Sequence, residues 1–289
     1  MVIYYHSSKI ASILGINYYT NIEEYIDIFI EYLYKYQEDL KENDIEKNAI
    51  EFCSNEENIT NKLNNAGINV DKQKEILNIY KNSNNIKNVD ELHLETIKVV
   101  EILSDLTLTE KNKILPNIQS KLNCSYGTNT ENSAIDLYTK LTSNIIYECN
   151  DKLLKIEYNN FYICGKIDGK TKINDKEYIV EIKNRKNRFF DNVPKYEKIQ
   201  LILYTKLCNN NNICFIQKLS NDIQIKHIND LDINDEIYND IVNKLHLYND
   251  LIIKLRNNEK ERHKFLSLNN KDMYLYLKNI LNFLPYKKI

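Results

Sequence analysis

Gly165-Lys166-Ile167-Asp168-Gly169, followed further along by Tyr178-Ile179-Val180-Glu181-Ile182-Lys183, is the stretch from which the rest of this chain is read. The second segment is β-branched and aromatic up to its charged end, which predicts a strand. Residues two apart on a strand face the same way, so Glu181 and Lys183 share one side and Ile182 points into a core on the other. In this reading Asp168 ends the preceding strand, and Gly169 lets the chain turn into a hairpin-like pair. That geometry sets the Asp168 and Glu181 carboxylates side by side. Two hard oxygen donors on adjacent strands suit Mg2+, which completes its octahedron with water and substrate phosphate. The Ile182 carbonyl is a further candidate ligand. Lys183 then falls where it can orient and help deprotonate an attacking water, or stabilise charge in a transition state. The competing reading is a surface hairpin with an ordinary Glu–Lys pair. Glu-x-Lys alone decides nothing in a chain rich in both residues; the glycine-bracketed Asp168 is the rarer feature, and Gln200 and Tyr204 on the next helix make the set rarer still.

Beyond Lys183 come Asn184, Arg185, Lys186, Asn187 and Arg188. Two of the chain's four arginines lie here. A cluster of cations leaving the strand would meet a DNA backbone well, which makes Arg185, Lys186 and Arg188 candidate DNA contacts. A solvated loop is the plain alternative.

Outward from this centre, apolar residues alternate over 145–147, 153–156, 161–164, 213–218 and 223–227, which predicts strands. Helices are predicted over 7–14, 22–42, 130–142, from Pro194 to about 208, over 233–262 and over 271–284; on 22–42, Ile22, Ile26, Phe29, Leu33 and Tyr36 recur at spacings of three and four. Residues 43–123 read as a run of shorter helices joined by Asn-rich turns, with no chemistry visible. Helix, three or four strands, helix, two strands and flanking helices make an α+β fold around a mixed central β-sheet. The expected division is a mainly helical region over 1–123 and a core with C-terminal helices over 124–289, integrated as one domain.

Composition bounds this further. A chain of 289 residues with net charge −2 can bury a large core and carries no global charge call for nucleic acid, so a DNA surface has to be local. No apolar run reaches about 18 residues, so no membrane span or membrane partner is expected. The N-terminal residues lack the basic-then-apolar pattern of an export signal, which predicts an intracellular protein. The six cysteines, Cys53, Cys124, Cys149, Cys164, Cys208 and Cys214, form no CxxC pair and are read as reduced thiols, not as a zinc or iron–sulfur site.

From Gly127 to about Cys208 the chain resembles the PD-(D/E)xK nuclease superfamily, and within it the lambda-exonuclease/YqaJ-type viral recombinase nucleases. Residues 7–15 are similar to the family's N-terminal helix. Gly127-Thr128-Asn129-Thr130-Glu131 looks like the helix of its first acidic residue. Gly165–Gly169 with Glu181-Ile182-Lys183 matches the core motif, with Ile167 in place of the proline. Val193-Pro194-Lys195-Tyr196 leading to Gln200 and Tyr204 matches the QxxxY helix. The resemblance implies a restriction-endonuclease-like fold with a helical N-terminal insertion. It implies metal at Asp168 and Glu181, with Glu131 reaching the same site directly or through water, and Lys183 as the catalytic lysine. Gln200 would orient water, ligand or DNA, with Tyr204 supporting it near the DNA, and Ser8 and Lys9 would lie near a DNA end. The implied activity is a DNA exonuclease using Mg2+ or Mn2+, as two ions, on linear duplex ends in recombination or repair. A homo-oligomer, a single-strand annealing partner and a cytoplasmic, nuclear or viral-replication setting go with it. An endonuclease acting on DNA or RNA, or a degenerate nucleic-acid-binding protein, are the alternatives.

Overall fold

Phe161–Gly165 and Gly169–Ile173 belong to different sheets, and the break between them falls at residues 166–168. A computed structural model describes residues 2–34, 59–60, 63–64, 66–228 and 235–285. The smaller sheet has the order β1 (Ile3–His6), β4 (Phe161–Gly165), β3 (Leu154–Tyr158). In it β1 runs parallel to β4, and β3 and β4 form an antiparallel hairpin. The larger sheet has the order β2 (Ile146–Tyr147), β5 (Gly169–Ile173), β6 (Lys176–Arg185), β7 (Ile213–Leu219), β8 (Asp222–Ile228). It is mixed: β6 and β7 are parallel, and the other pairs are antiparallel.

The α+β class expected from the sequence is what forms. One central sheet was expected, and two form, because the backbone leaves the smaller sheet at Gly165 and starts pairing again only at Gly169. Gly169 does not turn the chain. It opens β5, opposite Val180, and the hairpin turns at Asn174 and Asp175 instead. Those two residues carry φ of 48° and 62°, the left-handed pair that a tight two-residue hairpin needs. In β5 the inward places are filled by Gly169 and Thr171, which give no apolar alternation for the eye to catch. The strand β1, buried at Ile3 and Tyr5, was also not anticipated, although its β-branched and aromatic run is legible.

The helix α1 (Ser7–Ile13) follows β1 directly, and α2 (Ile22–Tyr34) covers it. The expected extension of α2 to 42 and residues 43–58, with Cys53, lie outside the described residues. A second apolar cluster is built by α3 (Val70–Asn82), α4 (Val89–Ile102) and α5 (Leu108–Asn129). The boundary expected between 123 and 124 falls inside α5, which runs through Pro116 to Asn129. Next come α6 (Glu131–Thr142) and α7 (Lys195–Cys208). The predicted helix over 233–262 is broken at Asn258 into α8 (Asp235–Asn257) and α9 (Glu259–Leu266), and α10 (Asn270–Ile280) follows. Asparagine caps recur: Asn69, Asn88, Asn258 and Asn269 each accept a hydrogen bond from the backbone N–H three residues on.

The main core joins α1, α2 and α7–α10 to the inner face of the smaller sheet. At its centre Tyr5 packs against Tyr32, Phe161 and Tyr248 with ring centroids 5.0, 5.4 and 6.0 Å away. The larger sheet is covered on both faces. On one, Val180 and Ile182 pack with Ala134 and Tyr138 of α6. On the other, Ile179 packs with Tyr204 of α7. No described helix is long and apolar enough to cross a membrane. The described cysteines carry free thiols.

The hairpin turn gives a test of this topology. Asp175→Val puts a β-branched side chain at positive φ and is expected to cost about 1–2 kcal/mol in denaturant unfolding, whereas Asp175→Gly, which adopts the same backbone freely, should cost nothing. Equal unfolding of both variants would contradict the turn.

Candidate functional site

Strand alternation decides which β6 side chains face α7. Ile179, Glu181, Lys183 and Arg185 are all on that side, two residues apart. The β5–β6 register pairs Gly169 with Val180, so continuing it by one residue sets Asp168 opposite Glu181. Asp168 is fixed there because its Oδ2 accepts the Ile182 backbone N–H at 2.6 Å. Ile182 thus enters the site through its amide, while its side chain lies in the core shared with α6.

Glu181 is 1% exposed. Its Oε1 lies 2.5 Å from Lys183 Nζ, and its Oε2 is buried with no hydrogen-bond partner. Lys183 Nζ also donates to Gln200 Oε1 at 3.1 Å. Gln200 Nε2 donates to the Tyr204 hydroxyl at 2.8 Å, and that hydroxyl donates to the Lys166 carbonyl at 2.6 Å. One directed chain of hydrogen bonds therefore runs from the lysine to the backbone link between the two sheets. Gly165 makes room for it: a Cβ there would stand 2.4 Å from Ser7 Oγ and 2.9 Å from Tyr204 Cε1. Gly169 does the same on the far side, where a Cβ would lie 2.5 Å from Ile146 Cγ2.

The electrostatics follow from burial and like charge. Burial first, then the Glu131 charge, pushes Asp168 up to about 7. Burial first, then the Asp168 charge, pushes Glu181 up to about 8, against the opposing pull of Lys183. Burial by itself would lower the Lys183 pKa, but Glu181, Asp168 and Glu197 outweigh it and raise the pKa. Lys183 is therefore an ammonium. Glu131, at the start of α6, is held by Asn150 Nδ2 at 2.6 Å; burial raises its pKa and Glu181 adds to the rise. It shares the field of the site without closing on the pair. Among the described residues no three His, Cys, Asp or Glu side chains come close enough to hold an ion. Glu181 Oε2 is buried without a hydrogen-bond partner, and Asp168, next in register across the strand pair, is the carboxylate beside it in the fold. Magnesium needs only one or two carboxylates, with water and phosphate supplying the rest, so this pair fits such an ion.

The other expected residues divide. Arg185 is not a DNA contact: it is buried, its guanidinium clasps both oxygens of Glu197 at 2.7 Å, and its Nε donates to Gln217 at 2.8 Å. The alternation that turns Glu181 inward turns Arg185 inward too. Tyr204 is likewise not a surface contact; it is 3% exposed and its hydroxyl is spent on Gln200 and Lys166. Lys186 and Arg188 remain on the surface, with Lys186 Nζ donating to Asn123 at 2.6 Å and Arg188 lying over the Phe190 ring. Ser8 is exposed and Lys9 half-buried; Ser7, one residue earlier, is the one that reaches Tyr204. Sequence reasoning missed Asn150, Glu197 and Gln217. It also missed Cys149, whose thiol pKa is raised by burial and then by Glu131 and Asp168. A carboxylate in the first turn after Pro194 was the available signal for Glu197; the others depend on tertiary register and left none.

No family model matches the chain, and no curated protein does. Among solved structures, one titled "Crystal structure of SSO0001" is similar at 17% identity and a TM-score of 0.32, over 60% of this chain and 74% of that chain. A likeness at that level carries nothing about fold or activity, so the chemistry stands on the residues themselves.

Two outcomes are expected. Glu197→Ala leaves the Arg185 charge buried and unpaired and should cost about 3–5 kcal/mol in unfolding, while Lys186→Ala and Arg188→Ala should stay within about 0.5 kcal/mol of the parent. Asp168 and Glu181 have folded pKa values above the unfolded range of about 4. Their contribution to stability is therefore fully present below about pH 4 and is lost as pH rises through about 7 and then about 8. In chelator, the melting temperature should fall across that window, and the double variant Asp168→Asn/Glu181→Gln should flatten the fall. An unchanged slope in the variant would remove these two groups as its cause.

Proposed function

We propose that this chain is a divalent-metal-dependent nuclease, acting as an exonuclease on the ends of linear duplex DNA. The observation that carries the reading is the buried Glu181 oxygen with no protein partner, beside Asp168 and above an anchored Lys183. A buried carboxylate oxygen left unsatisfied is costly unless something outside the protein meets it. Mg2+ or Mn2+ at Asp168 and Glu181 would supply charge neutralisation at phosphate and a water of lowered pKa.

The chain's own groups do the rest. Lys183, held as an ammonium between Glu181 and Gln200, donates hydrogen bonds to a water or to a phosphoryl oxygen on which charge develops. Gln200 fixes that ammonium and is itself fixed by Tyr204. Glu131 adds negative charge near the pair and is the residue available to hold water in their outer surroundings. Lys186 and Arg188, beyond the end of β6, offer charge to a DNA backbone. The resemblance to the lambda-exonuclease/YqaJ-type nucleases supports exonuclease action, a restriction-endonuclease-like core, a homo-oligomer and a strand-annealing partner.

Asp168→Asn and Lys183→Ala are expected to lower Mg2+-dependent release of nucleotides from an end-labelled linear duplex by at least about a thousandfold, with the fold retained by circular dichroism. Digestion at the parent rate by either variant would end the catalytic assignment. A closed circular duplex should be spared; nicking of it would point to an endonuclease.

A further inference from the structure

Tyr18 and Tyr19, between α1 and α2, are each 64% exposed. Their ring centroids are 4.3 Å apart, and each meets the Tyr196 ring edge-on, at 5.5 and 5.8 Å. Tyr196 is in the first turn of α7. Residues four apart share a helix side, so Tyr196, Gln200 and Tyr204 line one side of α7, with about one turn, or about 6 Å, from one to the next. Gln200 is the residue that holds Lys183. The Tyr196 ring that the open pair meets and the Gln200 of the candidate site therefore lie on one side of one helix.

Charges lie near the rings. Lys195 precedes Tyr196 at the start of α7 and is exposed. The charges of Glu197, itself paired with Arg185, and of Arg188 both act on the Tyr18 hydroxyl. Open aromatic faces next to backbone-neutralising cations are what binds successive unpaired bases, because every base has a π-face and every linker a phosphate. The exposed aliphatic stripe of Leu94, Ile97 and Val100 on α4 lacks such a combination and nothing on it selects an occupant.

We propose that Tyr18 and Tyr19, braced by Tyr196, form a stacking platform for the unpaired bases of a nucleic-acid strand whose backbone passes Arg188 and Lys195 on its way to Gln200 and Lys183. The platform makes single strands and frayed ends the substrate class, ahead of fully paired blunt ends. Its direction toward Lys183 rests on the nuclease reading; its binding does not.

The test uses the full chain in EDTA, so that nothing is cut, and fluorescence anisotropy of a labelled oligothymidylate of about 12 nucleotides. Tyr18→Ala/Tyr19→Ala should weaken binding roughly 10- to 100-fold, with an unchanged melting temperature. Tyr18→Phe/Tyr19→Phe, which keeps the rings, should bind as the parent does. Equal affinity of the alanine variant and the parent would overturn the platform and leave the rings to a protein partner. Loss of affinity in the alanine variant upholds the platform even if the parent cuts nothing in Mg2+, a result that would sink the nuclease reading alone.

Discussion

Burying the Glu181 carboxylate demands an answering charge, and the elements around β6 are arranged to deliver one. Lys183, two residues on, is the nearest cation that strand geometry can bring to the same side. A lysine is long and loosely jointed, however, and would wander without a second anchor. Gln200 gives that anchor, Tyr204 orients Gln200, and the Lys166 carbonyl orients Tyr204. Each step in this chain has one donor and one acceptor, so reversing any amide would break the next link. The chain answers only one oxygen of Glu181. The site is thus well braced on its lysine side and unsatisfied at Glu181 Oε2.

The same face of β6 carries a second buried pair, Arg185 with Glu197, one step along the strand from Lys183. Here both carboxylate oxygens are taken, and Gln217 on the parallel neighbour β7 accepts the Nε–H of the same guanidinium. One strand face therefore holds a closed ion pair and an open one, both reaching α7. The closed pair fixes the first turn of α7 against the sheet. Gln200, one turn further on, is placed by that docking as much as by its own hydrogen bonds. The contrast separates structural charge from available charge without reference to any relative.

Much of this was legible in the sequence. Period-two apolar runs marked the strands β2–β4 and β6–β8, and the pairing of Glu181 with Lys183 on one strand face followed from spacing alone. Pro194 and the run to Cys208 marked α7 nearly to the residue. The failures have physical causes. β5 hides because its inward residues are glycine and threonine, chosen for close approach and not for apolarity. The turn was misplaced for the same reason: Gly169 is there to admit Ile146, whereas positive φ falls on Asn174 and Asp175. Gly127 opens the stretch that resembles the family's first acidic helix, yet a Cβ there would meet nothing; what matters at that position is its carbonyl, which accepts from Asn184 Nδ2 at 2.8 Å. Arg185 was misjudged because a run of cations looks like a surface, and only alternation continued past Lys183 would have turned it inward.

Residues 166–168 form the joint between two separately hydrogen-bonded sheets, and the joint carries both the carbonyl that anchors Tyr204 and the carboxylate of Asp168. Three residues leave almost no slack. Sliding of one sheet past the other would pull on the Lys166 carbonyl and, through Tyr204 and Gln200, on Lys183, while Asp168 stays tied to the Ile182 amide. Loops elsewhere can lengthen without that consequence; an insertion here would put the reactive groups out of step while leaving both sheets intact.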